Sequence, residues 1–177
     1  NLKFKIYNNR NEKTSILHEL FAQKNIRLSS KGIEDMLKSK DLEFYKNFEQ
    51  KSFDNIKTHL SSLILNDELI AIHWGIIYKK RFYYLLPSMK ENQLNKYSPG
   101  RLLISLLIRW SISKKLEVFD FTLGDENYKK SWSNKNSYLS NYVESKSLKG
   151  FSLFLLIKFK LFLKQIDKKN YLRKIAS

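Results

Sequence analysis

The stretch from Thr58 to Met89, "THLSSLILNDELIAIHWGIIYKKRFYYLLPSM", limits the fold more than any other part of this 177-residue chain. It is dense in β-branched and aromatic residues. Two short polar pairs, Asn66-Asp67 and Lys79-Lys80, interrupt it. This punctuation predicts three antiparallel strands over about 58–65, 68–78 and 81–87, joined by tight turns. Pro87 ends the third, because proline cannot donate to a ladder. A three-strand meander cannot bury both faces alone, so the flanking segments must cover it.

Those segments read as helices with a further strand. Ile16, Leu17, Leu20 and Phe21 recur at helical spacing and predict a helix over about 14–24. One or two more helices are expected over about 30–50, with Ile33, Met36, Leu37, Phe44 and Phe48 as buried candidates. Downstream, "KYSPGRLLISLLIRW" predicts a helix over about 99–115. Ser98 is a candidate N-cap, Pro99 suits the first helical position, and Leu102, Leu103, Leu106, Leu107 and Trp110 form an apolar stripe. "LEVFDFTL" is a short apolar strand, and "GDENYKKSW" is a turn running into a short helix. Tyr138–Glu144 is expected as a last strand, and Leu148 to about Lys169 as a basic amphipathic helix. Residues 1–12 are polar, and with Asn1 in place of Met they are expected to be a tail or the remnant of a preceding domain. The order gives an α/β chain with a mixed, mostly antiparallel sheet flanked by helices. Residues 1–147 form the main domain and 148–177 the appended helix.

The totals exclude some chemistries. With no cysteine there is no disulfide, thiolate nucleophile or cysteine metal site. The three histidines, His18, His59 and His73, have no helical ligand spacing, so a metal site is not expected. The net charge of +16 has two readings: an anionic partner, or the lysine-rich coding of an AT-rich genome. Residues 149–177 contain eight Lys/Arg against one Asp. That helix is expected either to lie peripherally on an anionic membrane or to pack on a neighbouring domain or second copy. No apolar run is long enough for a bilayer span.

Gly100 and Arg101 exceed what capping requires. Glycine in a first turn costs about 1 kcal/mol relative to alanine, but it lets a ligand approach the backbone. Amides at a helix start beside an arginine suit a phosphate. The alternative is a structural cap with an incidental arginine.

Order and spacing then add a resemblance. The segments "LIAIHWG", "YYLLPSM", "SPGRLL" and "FDFTLGDENYK", with a tryptophan shortly after, resemble the GNAT acyltransferase domain of the acetyltransferase family linked to cellulose and exopolysaccharide biosynthesis. The likeness spans about residues 14–145. This family is more distantly similar to the peptidoglycan-bridge aminoacyl transferases, which pair two GNAT-like domains.

The resemblance implies acetyl-CoA or another acyl-CoA as co-substrate, with its pyrophosphate on Ser98, Pro99, Gly100, Arg101 and Leu102. The usual GNAT phosphate loop is richer in glycine. It further implies transfer to an amine or hydroxyl of a small-molecule or saccharide acceptor. Localisation would be cytoplasmic, or peripheral at the inner membrane face, and a second GNAT-like domain or a homodimer would be the partner. An aminoacyl-tRNA-dependent transferase and a non-catalytic binding module are the alternatives.

Four residues are candidates for the chemistry. Asp120 either orients or deprotonates the acceptor, or bonds backbone amides in the next turn. By resemblance Lys129 stabilises the oxyanion or binds coenzyme phosphate; otherwise it is a solvated lysine. Tyr128 is a proton donor to the leaving thiolate by the same likeness. His73 shares a strand face with Gly75, which reads either as a ligand-lined surface or as a core histidine. Tyr83 or Tyr84 would place one hydroxyl on that face.

Overall fold

The computed structural model describes residues 1–33, 37–51, 53–140, 142 and 144–176, with side chains as far as 163. The chain divides into two units, Asn1–Lys130 and Ser131–Ser177.

The first unit is built on a five-stranded sheet in the order β1-β2-β3-β4-β5. Strands β1 (Leu2–Tyr7), β2 (Ile56–Leu65), β3 (Glu68–Tyr78) and β4 (Arg81–Met89) are antiparallel neighbours; β5 (Val118–Asp120) runs parallel to β4. The expected meander is present, except that its third strand does not end at Pro87 but runs through it to Met89, and both turns use left-handed backbone, at Asn66 and Asp67 and at Lys79 and Lys80. These are the conformations that match the twist of a hairpin. Helices α1 (Arg10–Ser29) and α2 (Ser39–Gln50) precede the meander. Helix α3 (Pro99–Ser113) makes the crossover to β5, and α4 (Asn127–Lys130) is a single turn.

Two strand expectations are corrected. Residues 2–7 are not a tail: they pair with β2 from Leu2↔Leu65 to Tyr7↔Leu60. "LKFKIY" alternates apolar and polar residues, and its lysines blunt a sheet edge. In the other direction, 138–140 lie in no strand, with Tyr138 and Leu139 exposed. Residues 141 and 143 of that segment lie outside the described residues, as does the buried candidate Met36. Ile33 and Phe44 are exposed, whereas Leu37 and Phe48 pack against the core.

Each sheet face has its own layer. On one, Leu17, Leu20 and Phe21 of α1 pack on Leu60, Ile72, Trp74 and Leu86. Glu49 of α2 fastens this layer, accepting from Trp74 Nε1 at 2.6 Å, Lys13 Nζ at 2.7 Å and Thr58 Oγ1 at 2.8 Å. The other face carries α3, whose buried Leu103, Ile104, Leu107 and Ser111 meet β2, β3 and β4.

A bulge in β4 links the two layers. Gly75 pairs with Tyr84 but Trp74 pairs with Leu86, so Leu85 is an extra residue. Side chains alternate along a strand, and the extra residue exchanges the faces. Tyr84 therefore stacks on His73, while Leu86 joins the α1 layer and Ser88 donates to Gln23 of α1. Only glycine fits at position 75. A Cβ there would stand within 2.6 Å of the His73 ring and closer still to the Tyr83 carbonyl oxygen.

In the second unit α5 (Leu148–Ala176) begins at Ser147, whose hydroxyl accepts the Gly150 amide at 3.0 Å. Its apolar residues from Phe151 to Leu163 are half or more exposed in most cases. Lys158 and Lys160 lie about 200° apart around the axis, so the basic and apolar residues do not separate into the two faces expected of an amphipathic helix. Among the described residues no helix is long and apolar enough to cross a membrane.

Candidate active site

Strands β4 and β5 pair over only three residues, Arg81–Tyr83 against Val118–Asp120. Beyond that point β4 continues to Met89 paired with β3 but with no strand on its β5 side, and the chain leaving β5 turns at Thr122, φ 58°. A cleft of about 480 Å³ opens among this stretch of β4, the second half of α1 and the start of α3. A smaller recess of about 160 Å³ lies between β4 and the segment after β5. Lys24, Tyr84, Pro87, Glu126 and Tyr128 line both spaces.

The α3 start forms part of the cleft through Ser98, Gly100 and Arg101. Ser98 is not the expected side-chain cap. Its backbone is left-handed, φ 54°, and its hydroxyl makes no capping bond. Instead its carbonyl accepts the amides of Arg101 at 2.9 Å and Leu102 at 3.2 Å. Pro99 has no N–H, so among the described residues Gly100 supplies the one first-turn amide with no backbone acceptor. A Cβ at Gly100 would meet only Met89 Sδ, at 3.4 Å, so the space in front of it is open. Pro99 is buried and Leu102 is exposed, and neither lines the cleft.

The cleft is strongly cationic. Lys24 and Arg27 of α1, Lys31 just past its end, and Arg101 of α3 all line it. Lys24 Nζ donates to the Pro87 carbonyl at 3.0 Å. Burial first, and then the Arg27 charge, push its ammonium below the usual lysine range. Glu126 is held by Lys129 Nζ at 2.8 Å, a bond that pulls its carboxyl down. Burial pushes the Tyr84 phenol up strongly, and burial followed by the nearby Glu126 raises Tyr128.

Of the four candidate chemical residues, only Tyr128 lines the main cleft. Lys129 is buried, donates to the Leu123 carbonyl as well as to Glu126, and faces the smaller recess; it is not a solvated lysine. Both Asp120 oxygens are engaged, one by Arg81 Nη1 at 2.7 Å and one by the Thr122 amide at 2.7 Å. The second bond is the backbone contact anticipated as its alternative role. His73 is 0% exposed and stacked 4.3 Å from the Tyr84 ring. Its imidazole is held neutral by burial, with His59 and Lys24 adding to the effect. It belongs to the layer beneath the cleft floor and not to a ligand-lined surface.

Sequence reasoning missed Lys24, Arg27, Lys31 and the role of Tyr84. Lys24 and Arg27 stand one turn apart, a visible signal, but the helix was expected to stop at Lys24.

Three comparisons accompany this geometry. The sequence matches the family model described as "Acetyltransferase (GNAT) domain" over residues 2–130. Among curated proteins none matches the sequence. Several solved structures are similar. An aminoglycoside acetyltransferase, meta-AAC0020, from an uncultured soil metagenomic sample, in complex with sisomicin, is 11% identical with a TM-score of 0.55, covering 82% of this chain and 97% of that one. A possible acetyltransferase from Clostridium difficile 630 is 9% identical with a TM-score of 0.56, covering 82% and 99%. AAC(6')-Iy in complex with the bisubstrate analog CoA-S-monomethyl-acetylneamine is 8% identical with a TM-score of 0.53, covering 83% and 99%. At these identities the shared property is the fold.

Proposed function

Because the chain belongs to the GNAT acetyltransferase domain family and is an acyltransferase, we propose that it transfers an acyl group from acyl-CoA to an amine or hydroxyl of a sugar or cell-envelope polysaccharide precursor. The observation that carries this reading is the cationic cleft where β4 loses its β5 neighbour and α3 begins.

The residues present fit a coenzyme A group. The Gly100 amide, Arg101 and the positive end of α3 suit a pyrophosphate. A β4 edge without a strand partner suits an extended arm carrying amides, as an added strand would be suited. Acyl-CoA, when bound, supplies an activated thioester carbonyl. The protein's part is to position that group and manage the protons. Tyrosine phenols keep their protons at neutral pH, and burial raises both Tyr128 and Tyr84 further. A protonated tyrosine is a donor and not a base, which suits Tyr128 to protonating a departing thiolate. Lys129, fixed on the Leu123 carbonyl, acts here as a brace for the segment carrying Tyr128. Asp120 does the same for the β4–β5 junction through Arg81. The choice of a polysaccharide precursor rests on the motif resemblance.

Thermal unfolding with CoA and acetyl-CoA tests the reading. A ligand at a hundred times its Kd stabilises by about 2.7 kcal/mol, a rise of several degrees in Tm. The rise should disappear in Gly100→Glu, which sets a carboxylate against the phosphates, and persist in Gly100→Ala. The absence of any shift with wild-type protein would remove the coenzyme from this chain.

A further inference from the structure

The α1 side of the cleft carries cations of its own, Lys24, Arg27 and Lys31, in addition to Arg101 at the α3 start. Lys24 is partly buried, yet its bond is to a neutral carbonyl, and among the described residues no carboxylate lies within ion-pair distance of it. A cation drawn out of water without a counter-ion is costly. Lys31 is likewise without an ion pair among the described residues. Arg27 is tied to Glu91 at 3.3 Å. Glu126, the carboxylate lining the cleft, is occupied by Lys129. Lys24 lines both the cleft and the recess, together with Tyr84 and Tyr128, so it stands where the two spaces join.

We propose that Lys24 and Lys31 form a phosphate subsite for the acyl acceptor, so that the acceptor is a sugar bearing a phosphate or diphosphate and not a neutral saccharide. This rests on the acyl-transfer reading above. A phosphate supplies the missing counter-charge and several acceptor oxygens for charge-assisted hydrogen bonds. It would anchor the acceptor beside the two tyrosines while the coenzyme occupies the α3 start. The same chemistry has a second source, the 3′-phosphate of CoA itself, and the two are separable.

The test is calorimetric titration of the whole chain, first with CoA and dephospho-CoA, then, with CoA saturating, with inorganic pyrophosphate. The wild type should bind pyrophosphate with CoA in place. Lys24→Gln/Lys31→Gln should weaken that binding at least about tenfold and leave CoA affinity within about twofold. Lys31→Gln alone, at an exposed position that does not endanger folding, should weaken it about threefold. No pyrophosphate binding to the CoA-loaded protein, or binding indifferent to both variants, overturns the proposal. So does a variant that loses affinity for CoA but not for dephospho-CoA, which would give the cations to the coenzyme. A wild type that binds no CoA overturns the acyl-transfer reading, and the acceptor subsite with it.

Discussion

Helices α3 and α5 are both rich in large apolar residues, leucine and isoleucine in α3 and leucine and phenylalanine in α5, yet they meet different fates. In α3 the apolar residues recur on one side, and Leu103, Ile104 and Leu107 are buried against the sheet. In α5 they occupy every side between Phe151 and Leu163, and they remain exposed. Apolar content alone does not give a helix a place in a core. A stripe lets one face be covered while the other is solvated; an even distribution leaves no single docking face.

The largest expected effect tests the buried side of this contrast. Leu107 is 0% exposed between α3 and the sheet. Leu107→Ala should cost about 2–5 kcal/mol in chemical denaturation, from lost burial and the cavity left behind. A loss under about 1 kcal/mol would mean that α3 closes over the gap and holds the sheet loosely.

The same contrast shows how far the sequence could be read. Period and turn chemistry are local, so the meander, the α3 helix and its opening at Pro99 were all legible. The β1 strand was equally legible in "LKFKIY", but its lysines drew attention as charge and not as alternation. The cleft is different in kind. It depends on the Leu85 bulge and on β5 stopping after three residues, and neither leaves a mark in local composition. His73 and Gly75 on one strand face suggested a ligand surface. The structure gives the pair a packing explanation: the bulge brings the Tyr83 carbonyl and the His73 ring so close that no side chain fits at 75. Asp120 invited a catalytic role because a carboxylate between phenylalanines needs a partner, and Arg81, 39 residues away, is that partner.

A second, intermediate effect comes from the polar groups beneath α3. His59 is pushed down to about 3 by burial and then by Lys13, and His73 is also held neutral by burial. Both folded values lie below the ordinary 6.5 of an unfolded chain. The stability they contribute is therefore present above pH 6.5, and for His59 it is lost as pH falls from 6.5 towards 3. His59 contributes a slope of about 1.4 kcal/mol per pH unit in that window. His59→Phe keeps an aromatic ring against Phe82 and Trp110 and should flatten the acid limb of a stability–pH curve by that amount. Parallel curves for wild type and variant would show that His59 titrates alike in the folded and unfolded chain.

The smallest expected effect belongs to α5. Phe159 is 60% exposed, so Phe159→Ser should change stability by no more than about 0.5 kcal/mol in calorimetric unfolding of the whole chain. A loss above about 1 kcal/mol would mean that the residue is covered in solution, and protein concentration then separates the causes. If the loss grows with concentration, a second copy supplies the cover, because association stabilises by mass action. If it is independent of concentration, the cover comes from the same chain. A null result keeps the contrast with α3 intact: equal apolar content, spent on folding in one helix and left available in the other.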